Sequence, residues 1–408
     1  MPIYRIDELC KGKSMINADL VFFDAGGGHR AAAEALRLVM EEQGGWEIRL
    51  VNLQELLDPV DLVRKLTGLR MQDLYNLMLK KGWTLGTPQT VRVLQFFIRL
   101  LHDKTVRLLE DFWRPGRADV VVSLVPHFNR ALAQSLRQVR PTTRFVTVLT
   151  DIADYPPHFW IEPQGQYLIC GSNRAVEQAR ALGICDGRIF QTSGMILHPR
   201  FYQPLFCDRR AERKQRGLDP DAPTGLVLFG GQGSDAMLEI AERFDAEGPH
   251  HLQLIYICGR NEKLAATLRS RRSRLRNFVE GFTSEVPFYM LLSDFFIGKP
   301  GPGSVSEAVA MRLPVIVERN AWTLPQERYN AEWVLDKHLG LVVRGPSQIP
   351  SAVKQLLERG NLPRFRASAA ATRNRAVYEI PGLLRRIVEG SPDLPTREPE
   401  KSLSEQPA

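Results

Sequence analysis

Cysteine is scarce in this chain, and long apolar runs are missing from it. The five cysteines, Cys10, Cys170, Cys185, Cys207 and Cys258, are odd in number and form no CxxC pair. That pattern excludes a disulfide scaffold and a zinc ribbon, and fits reduced thiols in a cytosolic protein. No run reaches the 18 or so apolar residues that a membrane-spanning helix requires. The opening MPIYRIDELCKGKSM has neither an apolar centre nor a small-residue cleavage site, so no signal peptide is expected. Zinc-finger spacings and RNA-binding signatures are missing, as is the G-x-G-x-x-G dinucleotide fingerprint. One literal D-x-D, Asp219-Pro220-Asp221, falls in a proline-bearing polar stretch and reads as a turn. DIAD at 151–154 has the wrong spacing for a cation pair, and no metal is expected.

What is present is a soluble α/β pattern. The chain has 408 residues, 44% hydrophobic and 25% charged, enough for two or three domains. Ten strands are expected at 18–23, 118–125, 144–151, 166–172, 224–231, 252–259, 278–282, 294–299, 313–319 and 339–344. These runs are apolar throughout, as in parallel sheets covered on both faces by helices. Two such series predict two doubly wound domains. The first is expected over 1–202 and the second over 224–390, with a charged, proline-bearing linker at 203–223. The last helix is placed as returning to the first domain, and 391–408 reads as a disordered polar tail.

A helical insertion at 60–114 interrupts the first series. It carries ten Lys/Arg against five Asp/Glu, interleaved with Trp83, Phe96, Phe97, Phe112 and Trp113. With a net charge of +8 and pI of about 9.3, this block suits an anionic membrane surface; an ordinary helical pair packed on the sheet explains it equally well. Nothing else in the sequence supports nucleic acid as the polyanion.

Three glycine turns hold the candidate chemistry. In DAGGGHR, Gly26, Gly27 and Gly28 lie between an apolar strand and a helix, where a ligand can approach bare backbone. His29 sits in the first helical turn, whose positive dipole end disfavours imidazolium and keeps the ring a neutral base. In LFGGQGS, Gly230, Gly231 and Gly233 are placed to cradle a diphosphate. In DFFIGKPGPGSVSEAV, the run Lys299, Gly301, Gly303, Ser304 leads into a helix carrying Glu307, which suits a nucleotide at a helix N-terminus with its ribose on the carboxylate. The loop LPQERYN offers Gln326, Glu327 and Asn330, donors and acceptors of the kind sugar hydroxyls need.

In order along the chain, DAGGGHRAAAEA, VTVLTDIADYPPHFW, CGRNEKL, GFTSEVPFYM, KPGPGSVSEA and PQERYN resemble motifs of the monogalactosyldiacylglycerol synthase family, within family 28 glycosyltransferases. The likeness runs from about residue 18 to 385. It implies the GT-B architecture, two Rossmann-like domains facing a cleft, with the acceptor on the first and a UDP-sugar on the second. It further implies that His29 lies near the attacking hydroxyl, the glycines of 230–233 at the diphosphate, Glu307 at the ribose, Gln326 and Glu327 at the sugar, and Phe282 at the uracil. The expected reaction is an inverting displacement at the anomeric carbon without a cofactor. His29 is the first choice of base, and Asp151 is either its orienting partner or the base itself, against a bland reading as a cap after a strand. Lys299 or Arg260 would stabilise the departing diphosphate. The acceptor implied is diacylglycerol, reached by a cytoplasmic protein sitting peripherally on the cytosolic face of a membrane. Alternatives are transfer of N-acetylglucosamine to another lipid-linked acceptor, or a UDP-sugar epimerase or hydrolase on the same fold.

Overall fold

A computed structural model of the protein describes residues 15–24, 27–60, 95, 98–321 and 323–390. The first sheet contains β1 (Ile16–Phe22), β2 (Trp46–Asn52), β3 (Val120–Ser123), β4 (Arg144–Val148), β5 (Tyr167–Cys170) and β6 (Ile189–Gln191), in the order β2-β1-β3-β4-β5-β6. The second contains β7 (Thr224–Leu228), β8 (Gln253–Ile257), β9 (Arg276–Glu280), β10 (Phe295–Gly298), β11 (Val315–Glu318) and β12 (Gly340–Val343), in the order β12-β11-β10-β7-β8-β9. Every pairing is parallel.

Side-chain alternation explains why the strands are apolar throughout. In β1 and just past it, Ala18, Leu20 and Phe22 enter one core layer while Val21 and Phe23 enter the layer on the opposite face. Leu226 and Leu228 against Val227 and Phe229 repeat this division in the second sheet. All ten expected strands form. The two the apolar-run criterion missed, β2 and β6, are edge strands; β2 exposes Glu47 and Arg49 and half-buries Ile48 and Leu50.

The chain crosses between domains earlier than expected. Leu197 and Phe201 already belong to a second-domain core layer. The return is made before helix Ala376–Glu389, whose Ile380, Leu384 and Ile387 complete a first-domain layer. The two crossings are bonded side by side: Ser193 N–H donates to Glu379, Arg375 N–H to Ser193 Oγ, and the Asn374 amide to the Met195 carbonyl.

Two other expectations are refined. Within the supposed linker, helix Arg209–Gln215, capped by Asp208, is docked on the second domain. Its Arg213, 3% exposed, donates to the carbonyls of Leu292, Pro220 and Ala222 and pairs with Asp294. Asp219 accepts the N–H groups of Asp221 and Ala222, the turn that the D-x-D was read as. Of the 60–114 insertion, 61–94 and 96–97 lie outside the described residues. Helix His102–Trp113 belongs to the first-domain core through Val106, Leu109 and Trp113. Trp113 donates to Ser135 and packs edge-on against the partly buried Phe112, so both rings pack with this core.

Candidate active site

In doubly wound sheets ligands bind at the carboxyl ends of strands, where the strand order reverses. That point falls between β1 and β3 in the first domain and between β7 and β10 in the second. Both sets of singled-out residues lie there.

On the first domain, Gly27 takes a left-handed φ of 80° and starts helix Gly28–Gln43; Gly26 lies outside the described residues. The turn sets His29, in the first helical turn, over the ends of β3 and β4. Its Nδ1 is 3.0 Å from Thr150 Oγ1, and its ring lies 5.7 Å from that of Trp160. Burial pushes the imidazole down to about 4, against a smaller opposing effect of the Leu124 carbonyl, so it is neutral at physiological pH.

Asp151 follows Thr150 at the end of β4. It is buried, and Trp160 Nε1 donates to its Oδ2 at 2.8 Å. Burial pushes this carboxyl up to about 7; the Trp160 bond and Lys299 pull it down, while Glu327 and Asp154 push it further up. The two aspartates of DIAD divide their work. Asp154 accepts from His158 N–H and Trp160 N–H and so builds the loop, while Asp151 is the one that senses the other domain. Among the described residues His29 and Asp151 are joined through Thr150 and Trp160, not by a hydrogen bond of their own.

On the second domain, Gly230 and Gly233 are left-handed, with φ of 80° and 65°. Their loop is tied to the next one by Arg260 N–H donating to the Gly231 carbonyl at 2.9 Å. The approach is so close that a Cβ on Gly259 would stand 2.3 Å from Gly231 O, and one on Gly233 2.7 Å from Cys258 O. Lys299 leaves β10 beside Gly230 and donates to Glu327 Oε1 at 2.8 Å. Gly301 caps helix Pro302–Ala310, which has proline in its first turn together with Gly303 and Ser304. One turn on, half-buried Glu307 is pushed up to about 7 by burial, with the Arg200 guanidinium acting against it. Phe282 is 63% exposed, and the Arg260 guanidinium lies 4.8 Å from its ring centre. Gln326 and Glu327 lie together in the turn Pro325–Glu327. Asn330 departs from expectation: it is fully buried and donates to the Pro300 carbonyl at 2.7 Å, so it braces the glycine loop from behind and does not face the cleft.

The half-sites meet. Asp151 of the first domain lies in the field of Lys299 and Glu327 of the second, and the rings of Tyr155 and Tyr329 approach to 5.7 Å. Sequence reasoning missed Thr150, Trp160, Arg200 and Gly259. The first two stand inside VLTDIADYPPHFW, but which of its side chains converge on His29 is a tertiary fact. Among the described residues no three His, Cys, Asp or Glu side chains gather as a metal site, and no helix is long and apolar enough to cross a membrane.

Residues 225–380 match the glycosyltransferase family 28 C-terminal domain. The chain is 28% identical over 355 residues to the chloroplastic monogalactosyldiacylglycerol synthase of Spinacia oleracea, covering 82% of this chain and 65% of that protein. It is 26% identical to monogalactosyldiacylglycerol synthase 3 of Arabidopsis thaliana, over 82% of this chain and 72% of that one. In fold it is similar to MnaA of S. aureus, solved with UDP, at a TM-score of 0.60 and 15% identity over 94% of this chain and 99% of that chain. Similarity to MurG of Acinetobacter baumannii is at a TM-score of 0.60 and 11% identity, over 91% and 99% of the two chains. The fold is GT-B, residues 225–380 match the glycosyltransferase family 28 C-terminal domain, and the chain is similar over most of its length to the monogalactosyldiacylglycerol synthases.

Proposed function

We propose that the protein transfers a hexose from a UDP-sugar to the free hydroxyl of a diacylglycerol, with inversion at the anomeric carbon. The observation that supports this reading is the meeting of the half-sites: Asp151, next in sequence to the Thr150 that bonds His29, lies in the field of Lys299 and Glu327. UDP would lie on the second domain, uracil against Phe282, ribose on Glu307 and diphosphate on the 230–233 loop and the N-terminus of helix Pro302–Ala310. The acceptor oxygen attacks C1 and the C1–oxygen bond to the diphosphate breaks. The bonding pair leaves on UDP, and His29 takes the hydroxyl proton.

Charge decides between the two candidate bases. A bound diphosphate brings negative charge into the cleft and raises every nearby pKa. His29, starting at about 4, is drawn toward neutrality and becomes a better base. Asp151, starting at about 7, is driven above it and held as the neutral acid, which cannot accept the proton. Incubating the protein with labelled UDP-hexoses and diacylglycerol vesicles tests the reading. Organic-soluble labelled glycolipid and an equal amount of UDP are expected. UDP without glycolipid, or an epimerised UDP-sugar, would sink it.

The donor assignment makes its own prediction. Removing a hydrogen-bond partner of this kind costs about 1.5–3 kcal/mol, or roughly 10- to 150-fold in affinity. Glu307→Ala is expected to weaken UDP binding by that factor with the melting temperature retained; unchanged affinity in a calorimetric titration removes Glu307 from the ribose.

Membrane recruitment rests on the charge surplus of the 60–114 block. Each Lys or Arg near an anionic surface contributes on the order of 1 kcal/mol, fading within a Debye length. The protein is expected to cosediment with anionic vesicles at low salt, to leave them as salt rises, and to ignore zwitterionic ones. Replacing Lys80, Lys81, Arg92 and Arg99 with Gln is expected to weaken this association by up to about a thousandfold at low salt, roughly 4 kcal/mol in all, and leave UDP affinity unchanged. Vesicle binding that survives in that variant rejects the block as the contact.

A further inference from the structure

His127 lies outside the chemistry assigned above, yet its setting is unusual. It follows β3 at the point where the first sheet reverses order, and His29 reaches the Leu124 carbonyl three residues before it. Its backbone has a φ of 68°, and Phe128 N–H donates across it to the Pro126 carbonyl. That combination is a γ-turn of the rare, strained kind. In a residue with a Cβ such a conformation persists only where the surroundings over-determine it, and it gathers at ligand clamps.

The surroundings do over-determine it. His127 N–H donates to the Phe159 carbonyl at 2.7 Å. Asn129, fully buried, donates to the carbonyls of Val125 and Trp160 and accepts from Ser123 and Thr147. These bonds fasten the His127 turn to the loop carrying Trp160, against which the His29 ring lies. The His127 imidazole is half-buried, 4.2 Å from the Phe159 ring and edge-on to it, beside a second aromatic pair of Phe23 and Phe128. Neither ring nitrogen has a hydrogen-bond partner among the described residues. An imidazole held in strain, polar tip unpaired and walled by aromatic rings, suits a ligand that is mostly apolar and offers an isolated acceptor atom.

We propose that His127 is an acceptor-reading residue, its ring N–H donating to an ester carbonyl of the diacylglycerol whose free hydroxyl is presented to His29. Burial supports this by holding the ring at about 4, hence neutral, with one donor nitrogen and no charge to repel from an apolar site. The inference rests on the lipid-acceptor reading and deepens it, by assigning the group that tells a glyceride ester from other hydroxyl-bearing lipids.

Calorimetric titration of soluble dihexanoylglycerol and, separately, of UDP tests this on the wild type, His127→Gly and His127→Asn. Losing one neutral hydrogen bond predicts about 2- to 13-fold weaker dihexanoylglycerol binding by the glycine variant. Asparagine, which tolerates positive φ and keeps an N–H donor, is expected to restore part of it. UDP affinity is expected to stay constant, and the melting temperature to hold or rise as backbone strain is released, which a merely structural histidine does not allow. Equal dihexanoylglycerol affinity in wild type and glycine variant overturns the proposal, as does a joint fall in melting temperature and UDP affinity. Absence of dihexanoylglycerol binding by the wild type overturns it too. Glycolipid formation by the wild type judges the transferase reading separately, so the two failures are distinguishable.

Discussion

His29→Ala is expected to lower sugar transfer by roughly two to four orders of magnitude, the usual worth of a positioned general base. UDP affinity is expected to remain, because the ring belongs to the first domain and bonds to Thr150 there. Losses of this kind fall on kcat and kcat/KM together when an interaction is made only in the transition state. The pH profile separates His29 from its rival. With the imidazole at about 4 in the free protein, kcat/KM holds its plateau through pH 6 and declines only in more acid solution. An acid limb centred near 7 gives the proton to Asp151 instead, as does turnover that survives in His29→Ala and collapses in Asp151→Asn.

How much of this was legible in the sequence follows from what each residue type must satisfy. Glycine turns are visible because backbone geometry demands them: Gly230 and Gly233 are left-handed, and Gly233 has no room for a Cβ. Buried parallel strands are visible because both faces are apolar. Edge strands β2 and β6 carry half that signal and were missed. Roles that depend on which way a polar side chain turns were not legible. Asp151 and Asp154 are three residues apart in one motif, yet one faces the cleft and the other folds its own loop. Asn330 read as a sugar ligand because amides suit hydroxyls, but it lies behind the loop it braces. Arg213 and Trp113 were ambiguous for the same reason, since a charged helix and an amphipathic one look alike whether they face solvent, membrane or a neighbouring domain.

Asp151→Asn is expected to stabilise the protein at alkaline pH while keeping most of its activity at pH 7. Burial pushes the folded carboxyl up to about 7, against 3.8 for a free aspartate. A raised folded pKa means that the folded chain holds the proton more tightly, so its contribution is present below 3.8 and lost as pH rises through 7. At about 1.4 kcal/mol per unit, the three or so units bound the burden of the ionised form at roughly 4 kcal/mol by pH 8. Asparagine keeps the oxygen that accepts from Trp160 Nε1 and carries no charge to desolvate. Its melting temperature is therefore expected to come closest to the wild type below about pH 4, to exceed it modestly by pH 5 and to exceed it by several degrees at pH 8. Donor binding carries the same signature. Because a diphosphate disfavours the Asp151 anion, the wild type takes up a proton with the donor, and its affinity for the UDP-sugar falls about tenfold per pH unit above 7. Substitution removes this alkaline limb and leaves whatever pH dependence Glu307 imparts on the acid side. Calorimetry at pH 7, 8 and 9 with both proteins decides the matter: parallel affinity curves mean that Asp151 is not in the field of the diphosphate, and the assignment of His29 as the base loses the comparison on which it was made.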